Sequence, residues 1–176
     1  HFQPQLLVGL TATPERMDGK DLRPDFGNRI SAEIRLPQAL QAGLLTPFQY
    51  LCISDDTDLS DDSLWSGQKY NIERLADKLC AKTRARLIVD ALHKYLADEY
   101  TCRALCFCVN KRHADFMAEQ LRLYGFNAQS LTYDTPADER KQLAKDLREG
   151  TLHYLCVVDI FNEGVDIPEV DTVLFL

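Results

Sequence analysis

Short apolar runs alternate with amphipathic stretches through the second half of the chain. Residues 103–109, 127–131, 154–158 and 172–176 have the length and content of buried strands. Helical spacing of apolar residues separates the first three runs, and a polar loop separates the last two. This order predicts an α/β fold with a doubly wound parallel sheet.

Two long stretches carry apolar residues at helical spacing. Residues 72–97 predict one or two helices, with a break near Lys82. Residues 112–124 predict another helix, which ends at Gly125. Its apolar stripe is expected to face the core and consists of Phe116, Met117, Ala118 and Leu121.

A further helix is predicted before the third strand. Thr135 is suited to cap its amino end, with Pro136 in its first position. Gly150 is expected to end it. Its buried side is predicted to comprise Leu143, Ala144 and Leu147.

The first third of the chain predicts shorter elements. Residues 6–9 and 48–53 are apolar enough for strands, and residues 30–36 alternate partly like an edge strand. A short helix is expected to begin at Pro37 and to end near Gly43.

The overall composition is that of a soluble globular domain, with 45% hydrophobic and 27% charged residues. No apolar stretch approaches the roughly 20 residues needed to cross a bilayer, so we expect no membrane contact and a cytoplasmic location. The formal charge of −7 argues against strong general affinity for nucleic acid, although a local phosphate-binding track stays compatible with it. Strand patterns at both ends predict that the chain is a fragment of a larger protein.

Two groups of polar or reactive residues are interpreted as structural. Five aspartates crowd one polar stretch and indicate a solvated loop, with magnesium binding as the weaker alternative: Asp55, Asp56, Asp58, Asp61 and Asp62. Six cysteines occur without a C-x-x-C pair, so metal-ligand spacing is absent. We expect these cysteines to act as small core residues in a reducing compartment.

The loop over residues 159–170 reads D-I-F-N-E-G-V-D-I-P-E-V and is the most informative segment. It follows a predicted parallel strand, where open α/β sheets bind their ligands. Gly164 allows close approach of the backbone to a ligand, and Asp166 offers an acceptor for a ribose hydroxyl or a water. The alternative is an ordinary strand connection, with Asp166 bonding nearby amides before Pro168.

Four segments together resemble the motifs of superfamily 2 nucleic-acid helicases and translocases. Residues 159–168 resemble motif V, and residues 10–16, L-T-A-T-P-E-R, resemble motif III. Residues 104–110, A-L-C-F-C-V-N, are similar to motif IV. Residues 131–140 are similar to the L-T-G-D-T-P…E-R segment that precedes motif V. The segments occur in the family's order, and N-E-G-V-D-I-P resembles the DEAD/DEAH-type helicases that are grouped with restriction-enzyme motor subunits.

The resemblance implies a nucleotide site shared between two RecA-like domains. In that arrangement Glu163, Gly164 and Asp166 face ATP across the cleft. Thr11 and Thr13 have no base beside them in sequence, and the resemblance implies that they couple the nucleotide site to the strand-binding face. A polar strand end with a turn is the alternative for both threonines. We expect no catalytic residue and no metal ligand in this chain.

The resemblance also implies a strand-binding track at the opposite lip of the cleft. Asn110 and Lys111 lie between a strand and a helix amino end, where phosphate oxygens bind well. Thr132 and Asn162 are the other candidates, and a solvated surface is the alternative. Val158 stands where many family members have a threonine, so one phosphate-contacting hydroxyl is missing.

In domain terms, the resemblance assigns residues 1–47 to a remnant of the first RecA-like domain and the hinge. Residues 48–176 are then the second RecA-like domain, truncated before motif VI. Arg140 is a candidate partner of Asp159 by the same analogy.

The predicted function is that of a fragment of an ATP-dependent helicase or translocase, with DNA favoured as the track. ATP and Mg²⁺ are expected cofactors of the intact protein, and none is required by the fragment. Its partners would be nucleic acid and the first RecA-like domain of the same protein. The sequence has no G-x-x-x-x-G-K-[S/T] loop, so the fragment is predicted to be inactive alone. The alternative is a non-catalytic doubly wound module that binds a nucleotide or a partner protein.

Overall fold

The computed structural model describes residues 5–11, 21–67, 69–158 and 167–176. The chain divides into two compact units, His1–Leu51 and Cys52–Leu176, and each is considered by itself. The division falls shortly after the boundary that the sequence predicts at residue 47. The assignment of the first unit to a motor-domain remnant stays a prediction.

The first unit contains one short α-helix among its described residues. Helix α1 covers Leu36–Gln41 and carries a proline in its first turn. Gly43 follows the helix with φ of +68°, a conformation that glycine adopts at little cost. The helix predicted from Pro37 is therefore present.

The three strands predicted in this part of the chain are wrong. Residues 6–9, 30–36 and 48–53 pair with no strand among the described residues. Leu6 is 80% exposed and Tyr50 is 77% exposed, so their apolar side chains lie in solvent. A strand exists only as part of a ladder, because its amide and carbonyl groups bond to a neighbouring strand. Apolar composition alone could not supply that neighbour.

The second unit begins with a small hairpin that the sequence did not reveal. Strand β1, Trp65–Ser66, pairs in antiparallel fashion with β2, Lys69–Tyr70. The rings of Trp65 and Tyr70 stack with centroids 4.1 Å apart. Asp61 caps the 3₁₀ turn that leads into this hairpin, because its side chain accepts a hydrogen bond from the Ser63 amide. The acidic stretch is therefore partly ordered.

Four longer helices follow: α2, Ile72–Leu79; α3, Lys82–Tyr95; α4, Lys111–Leu123; and α5, Ala137–Glu149. The break predicted near Lys82 is confirmed. Asn71 caps α2 and Asn110 caps α4, each through a side-chain oxygen that accepts a backbone amide hydrogen bond.

The start of α5 differs from its prediction by one residue. Pro136 occupies the cap position, and Ala137 is the first helical residue. Thr135 does not cap the helix. Its hydroxyl oxygen accepts a hydrogen bond from the Thr132 amide at 3.0 Å, so it closes the preceding turn instead. Gly150 ends the helix with φ of +76°, as predicted.

The main sheet has four parallel strands in the order β4–β5–β3–β6. These strands are β3, Ala104–Phe107; β4, Ala128–Leu131; β5, Tyr154–Val157; and β6, Thr172–Phe175. Ala104 of β3 stands opposite both Tyr154 and Thr172 in the ladder.

Helices cover both faces of the sheet. One hydrophobic cluster joins α3 and α4 to one face, with Met117 and Leu121 fully buried. A second cluster joins α5 to the other face through Leu143 and Leu147. Successive residues of β5 alternate between the two clusters. The fold is therefore α/β with a doubly wound parallel sheet, as the sequence predicts.

The cysteines divide between core and surface. Cys106, Cys108 and Cys156 lie buried in the cluster beneath α4. A hydrogen bond with Cys156, together with burial, raises the pKa of the Cys108 thiol far above its ordinary value. Such thiols are unreactive at neutral pH. Cys52 is exposed, so its predicted core role is wrong.

Candidate nucleic-acid site at the carboxyl edge of the sheet

The parallel sheet brings three predicted site segments to one edge. Asn110, Thr132 and Val158 each follow a parallel strand within three residues of its end. Because all four strands run the same way, these positions share the carboxyl edge, where α/β proteins bind their ligands.

Several predicted site residues lie outside the described residues: Thr13, Asp159, Asn162, Glu163, Gly164 and Asp166. The ATP-binding assignment of the loop therefore stays a prediction. Thr11 is described and lies exposed in the first unit. Its coupling role also stays a prediction.

An open cleft of about 410 Å³ occupies this edge beside the start of α4. It is lined by Glu73, Asn110, Lys111, Arg112, Asp115 and Tyr133. Two of the predicted strand-binding residues, Asn110 and Lys111, thus face the same open space.

Asn110 has both ends of its side-chain amide engaged. Its oxygen accepts a hydrogen bond from the His113 amide at 3.0 Å and caps α4. Its nitrogen donates to Glu73 Oε1 at 3.1 Å. The cap explains why asparagine stands at this position, and the second bond connects α4 to α2.

Lys111 is held by two carboxylates. Its Nζ lies 3.1 Å from Asp115 Oδ2 and 3.8 Å from Asp134 Oδ2. The hydrogen bond to Asp115 raises the pKa of Lys111, so the ammonium is charged at neutral pH. Ser130 donates a hydrogen bond of 2.6 Å to the other oxygen of Asp115. A strand residue thereby fixes the carboxylate that positions the lysine.

Arg112 is a cleft residue that sequence reasoning passed over. Its Nη2 lies 2.6 Å from Asp77 Oδ1 and donates to the Glu73 carbonyl at 3.1 Å. The bond to Asp77 raises the pKa of the guanidinium further. The signal available in the sequence was a second basic residue in the first turn of α4.

Thr132 is only 3% exposed, whereas Asn110 and Lys111 are partly exposed. Its amide and carbonyl both bond to Thr135, at 3.0 and 3.1 Å, and form a tight turn. Tyr133, the next residue, is 70% exposed and reaches the cleft. Thr132 therefore shapes the turn, and Tyr133 supplies its accessible surface.

Arg140 secures this turn from the first helical turn of α5. Its Nε donates to the Thr135 carbonyl at 2.7 Å, and its Nη2 donates to the Tyr133 carbonyl. The candidate partner Asp159 lies outside the described residues, so that pairing stays a prediction.

Residues 87–176 match the family described as the helicase conserved C-terminal domain. The match covers just over half of the chain. The chain belongs to this family.

Proteins similar to this helicase C-terminal domain include a phage protein and two proteins of known structure. A 51.5 kDa protein of a Lactococcus phage (isolate 7-9) is 26% identical over 162 residues, which are 92% of this chain and 34% of that protein. The chain thus spans about a third of the length of that relative. S. cerevisiae Dbp5 bound to RNA and ADP BeF3 is 24% identical over 52% of this chain and 23% of its own, with a TM-score of 0.45. The Pyrococcus furiosus Hef helicase domain is 23% identical over 57% of this chain and 19% of its own, with a TM-score of 0.43.

His113 lies buried beneath the cleft of the helicase C-terminal domain. Its Nδ1 accepts a long hydrogen bond of 3.4 Å from the Val109 amide, and its Nε2 has no partner among the described residues. Burial, together with the smaller effect of the positive charges of Arg84 and Arg112, lowers the pKa of His113 to about 4. The imidazole is therefore neutral at physiological pH.

Aspartates of the acidic stretch before the hairpin have partners within the protein. Asp55 forms an ion pair with Arg84, and Asp58 accepts a hydrogen bond from the Ser60 hydroxyl at 2.6 Å. In the described part of the chain, no three His, Cys, Asp or Glu side chains group as metal ligands. Nor is any helix there both long and apolar enough to cross a bilayer.

Proposed function

We propose that this helicase C-terminal domain forms the second RecA-like lobe of an ATP-driven nucleic-acid motor. Family membership makes it a module of nucleic-acid helicases and translocases. The finer assignment has two parts: one wall of the ATP cleft, and part of the track that grips the strand.

The cleft at the carboxyl edge of the sheet supports the strand-binding part of the proposed function. Its Asn110 and Lys111 stand at the amino end of α4, where free amides and the helix dipole favour anions. The Lys111 ammonium is partly exposed and charged. Tyr133 adds an exposed ring of the kind on which nucleic-acid bases stack. A cation, a helix terminus and an aromatic ring beside one open cleft suit a single-stranded polynucleotide.

The nucleotide-binding part rests on the loop that leaves β5. Val158 directly follows this strand, which pairs with β3, the strand that leads to Asn110. Glu163, Gly164 and Asp166 are proposed to contact ATP, with Asn162 on the strand side. ATP and Mg²⁺ would be bound together with a first RecA-like lobe, which would supply the phosphate-binding loop that this sequence lacks. DNA is the proposed track because the loop resembles those of restriction-type motors.

The test of the strand-binding proposal is the affinity of the protein for a fluorescein-labelled single-stranded oligonucleotide. Fluorescence anisotropy would compare the wild type with Lys111→Ala and with a matched control, Lys145→Ala. Lys145 lies on α5, pairs with Glu149 and does not line the cleft. We expect Lys111→Ala to weaken binding and to reduce the salt dependence by about 0.7 in log–log slope, since one phosphate contact is lost.

The control should behave as the wild type. Equal effects of the two substitutions would show that the cleft is not the binding surface. Undetectable binding of DNA and RNA oligonucleotides by every variant would favour a non-catalytic partner-binding module.

A further inference from the structure

Two carboxylates of helix α2 bind hydrogen-bond donors of side chains at the start of α4. Glu73 Oε1 accepts from Asn110 Nδ2 at 3.1 Å, and Asp77 Oδ1 lies 2.6 Å from Arg112 Nη2. The Glu73 carbonyl takes a second bond from the same guanidinium nitrogen at 3.1 Å. Helix α2 precedes residues 87–176, so these carboxylates lie outside the segment that matches the family.

Among the described residues, both cations that line the cleft have carboxylate partners. Lys111 contacts Asp115 and Asp134, and Arg112 contacts Asp77. With Glu73 added, four carboxylates surround two cations. An approaching phosphate therefore meets like charge, and the donors that would bind it are already in use.

Phosphate and carboxylate oxygens accept the same hydrogen bonds from arginine and from side-chain amides. We propose that Glu73 and Asp77 act as exchangeable internal anions that occupy the strand-binding donors until phosphates of a single-stranded nucleic acid displace them. This inference rests on the proposed function and adds regulation of the same cleft. It also assigns Arg112 to the set of groups that the strand engages.

The two α2 carboxylates are free to move while their helix stays in place. Leu75, Ala76 and Leu79 anchor α2 through buried side chains on its other side. The side chains of Arg112 and Asp77 are 51% and 64% exposed, and ion pairs that exposed are weak. Side-chain rotation is then sufficient for exchange.

Asp115 has a different role from the α2 carboxylates. One of its oxygens is held by Ser130 at 2.6 Å and the other by Lys111 at 3.1 Å. These two bonds hold the ammonium of Lys111 beside Asp115 at the cleft. We therefore expect Asp115 to be a positioning residue, and Glu73 and Asp77 to be the anions that leave.

The inference is tested by neutralising the α2 carboxylates without changing their size. The double variant Glu73→Gln/Asp77→Asn would be compared with the wild type in the same anisotropy titration. Neutral amide oxygens bind the donors less strongly than carboxylates do and do not repel phosphate, so affinity should rise about tenfold at low salt. The salt dependence should steepen by about 0.7 in log–log slope, since one more phosphate is contacted. Circular dichroism would confirm that the fold is unchanged.

A matched control separates this effect from a general change in charge. The matched pair is Asp77→Asn and Asp90→Asn, which each remove one negative charge. Asp90 forms an exposed ion pair with Arg86 on α3, and Asp90→Asn should change affinity less than about twofold. The double variant Arg112→Ala/Asp77→Asn should show no gain in slope, because the guanidinium that would bind the additional phosphate is absent.

Three results decide between the possibilities. A gain in affinity and slope confined to the α2 variants supports exchange. Weaker binding by Lys111→Ala without any gain in the α2 variants overturns the exchange and leaves the proposed binding surface intact. If neither Lys111→Ala nor the α2 variants alter binding, both proposals are overturned.

Discussion

The Tyr154 hydroxyl donates a hydrogen bond of 2.6 Å to the main-chain carbonyl of Glu99. Tyr154 opens β5 and is fully buried, whereas Glu99 lies in the turn that follows α3. Burial raises the pKa of Tyr154 far above its ordinary value, so the hydroxyl stays a donor at any physiological pH. One bond thus ties a central strand to a connection 55 residues earlier in the chain.

We predict that Tyr154→Phe lowers the free energy of unfolding by about 1–2 kcal/mol, because the part-buried Glu99 carbonyl loses its hydroxyl donor. Urea denaturation would measure the change. Tyr133→Phe removes the same hydroxyl from a residue that is 70% exposed, and it should cost less than about 0.5 kcal/mol. Similar losses in the two variants would show that the bond to Glu99 contributes little.

A second prediction compares two glycines that end helices. Gly150 and Gly125 have φ of +76° and +88°. A Cβ at Gly150 would lie 3.0 Å from Arg103 Nη2, whereas at Gly125 it would meet nothing within 4 Å. Alanine at either position should lower the free energy of unfolding by about 1 kcal/mol, because alanine is strained in the left-handed conformation.

Gly150→Ala should lower the free energy of unfolding by roughly half a kcal/mol more than Gly125→Ala, because the Arg103 side chain must shift. Thermal unfolding of both variants would measure the difference. An equal loss would mean that Arg103 moves freely.

A third prediction concerns the effect of acidic pH on the stability of the fold. The pKa of His113 is lowered from 6.5 to about 4 in the folded state. Between these values the unfolded chain binds the proton more readily, so stability is complete above 6.5 and falls as the pH falls towards 4. The expected loss from this residue is roughly 3 kcal/mol by the lower end of that window.

Urea denaturation between pH 7 and 5 would measure the loss, before most carboxylates titrate. In His113→Gln the dependence over this range should flatten. An NMR titration of the His113 ring gives an independent check, and a midpoint near 6.5 would contradict the prediction.

A fourth prediction concerns ATP hydrolysis. The sequence contains no phosphate-binding G-x-x-x-x-G-K-[S/T] loop, and positioning of the phosphates and Mg²⁺ supplies most of the catalysis in such enzymes. The 176-residue chain should therefore release phosphate from ATP no faster than a mock preparation, with or without oligonucleotide. Release that is stimulated by nucleic acid and clearly above the mock would contradict this.

Much of the second unit could be predicted because its signals are local. Apolar runs marked the four parallel strands, and glycines marked the ends of α4 and α5. Asn110 was predicted to stand between a strand and a helix, and its capping bond spans three residues. Such bonds depend on a few neighbouring residues, so they can be read along the chain.

The site was predictable only in part. Asn110 and Lys111 reach the open cleft, but Thr132 is buried and Tyr133 takes its place at the surface. The partner that binds the Asn110 amide is Glu73, which lies 37 residues earlier. No pattern around motif IV indicated that helix α2 would lie there.

The sequence by itself determined the class of fold, the positions of the longer helices and of the four parallel strands, and membership of the helicase C-terminal domain family. It also overestimated the strand content of the first unit, where residues 6–9 pair with no strand in the described part of the chain. Only the tertiary structure decided that Arg112 faces Asp77, that Lys111 is held by Asp115 and Asp134, and that His113 is neutral. The physical reason is range: helix periodicity and capping arise within a few residues, whereas ladder pairing, charge pairing and burial depend on segments that only the packed chain brings together.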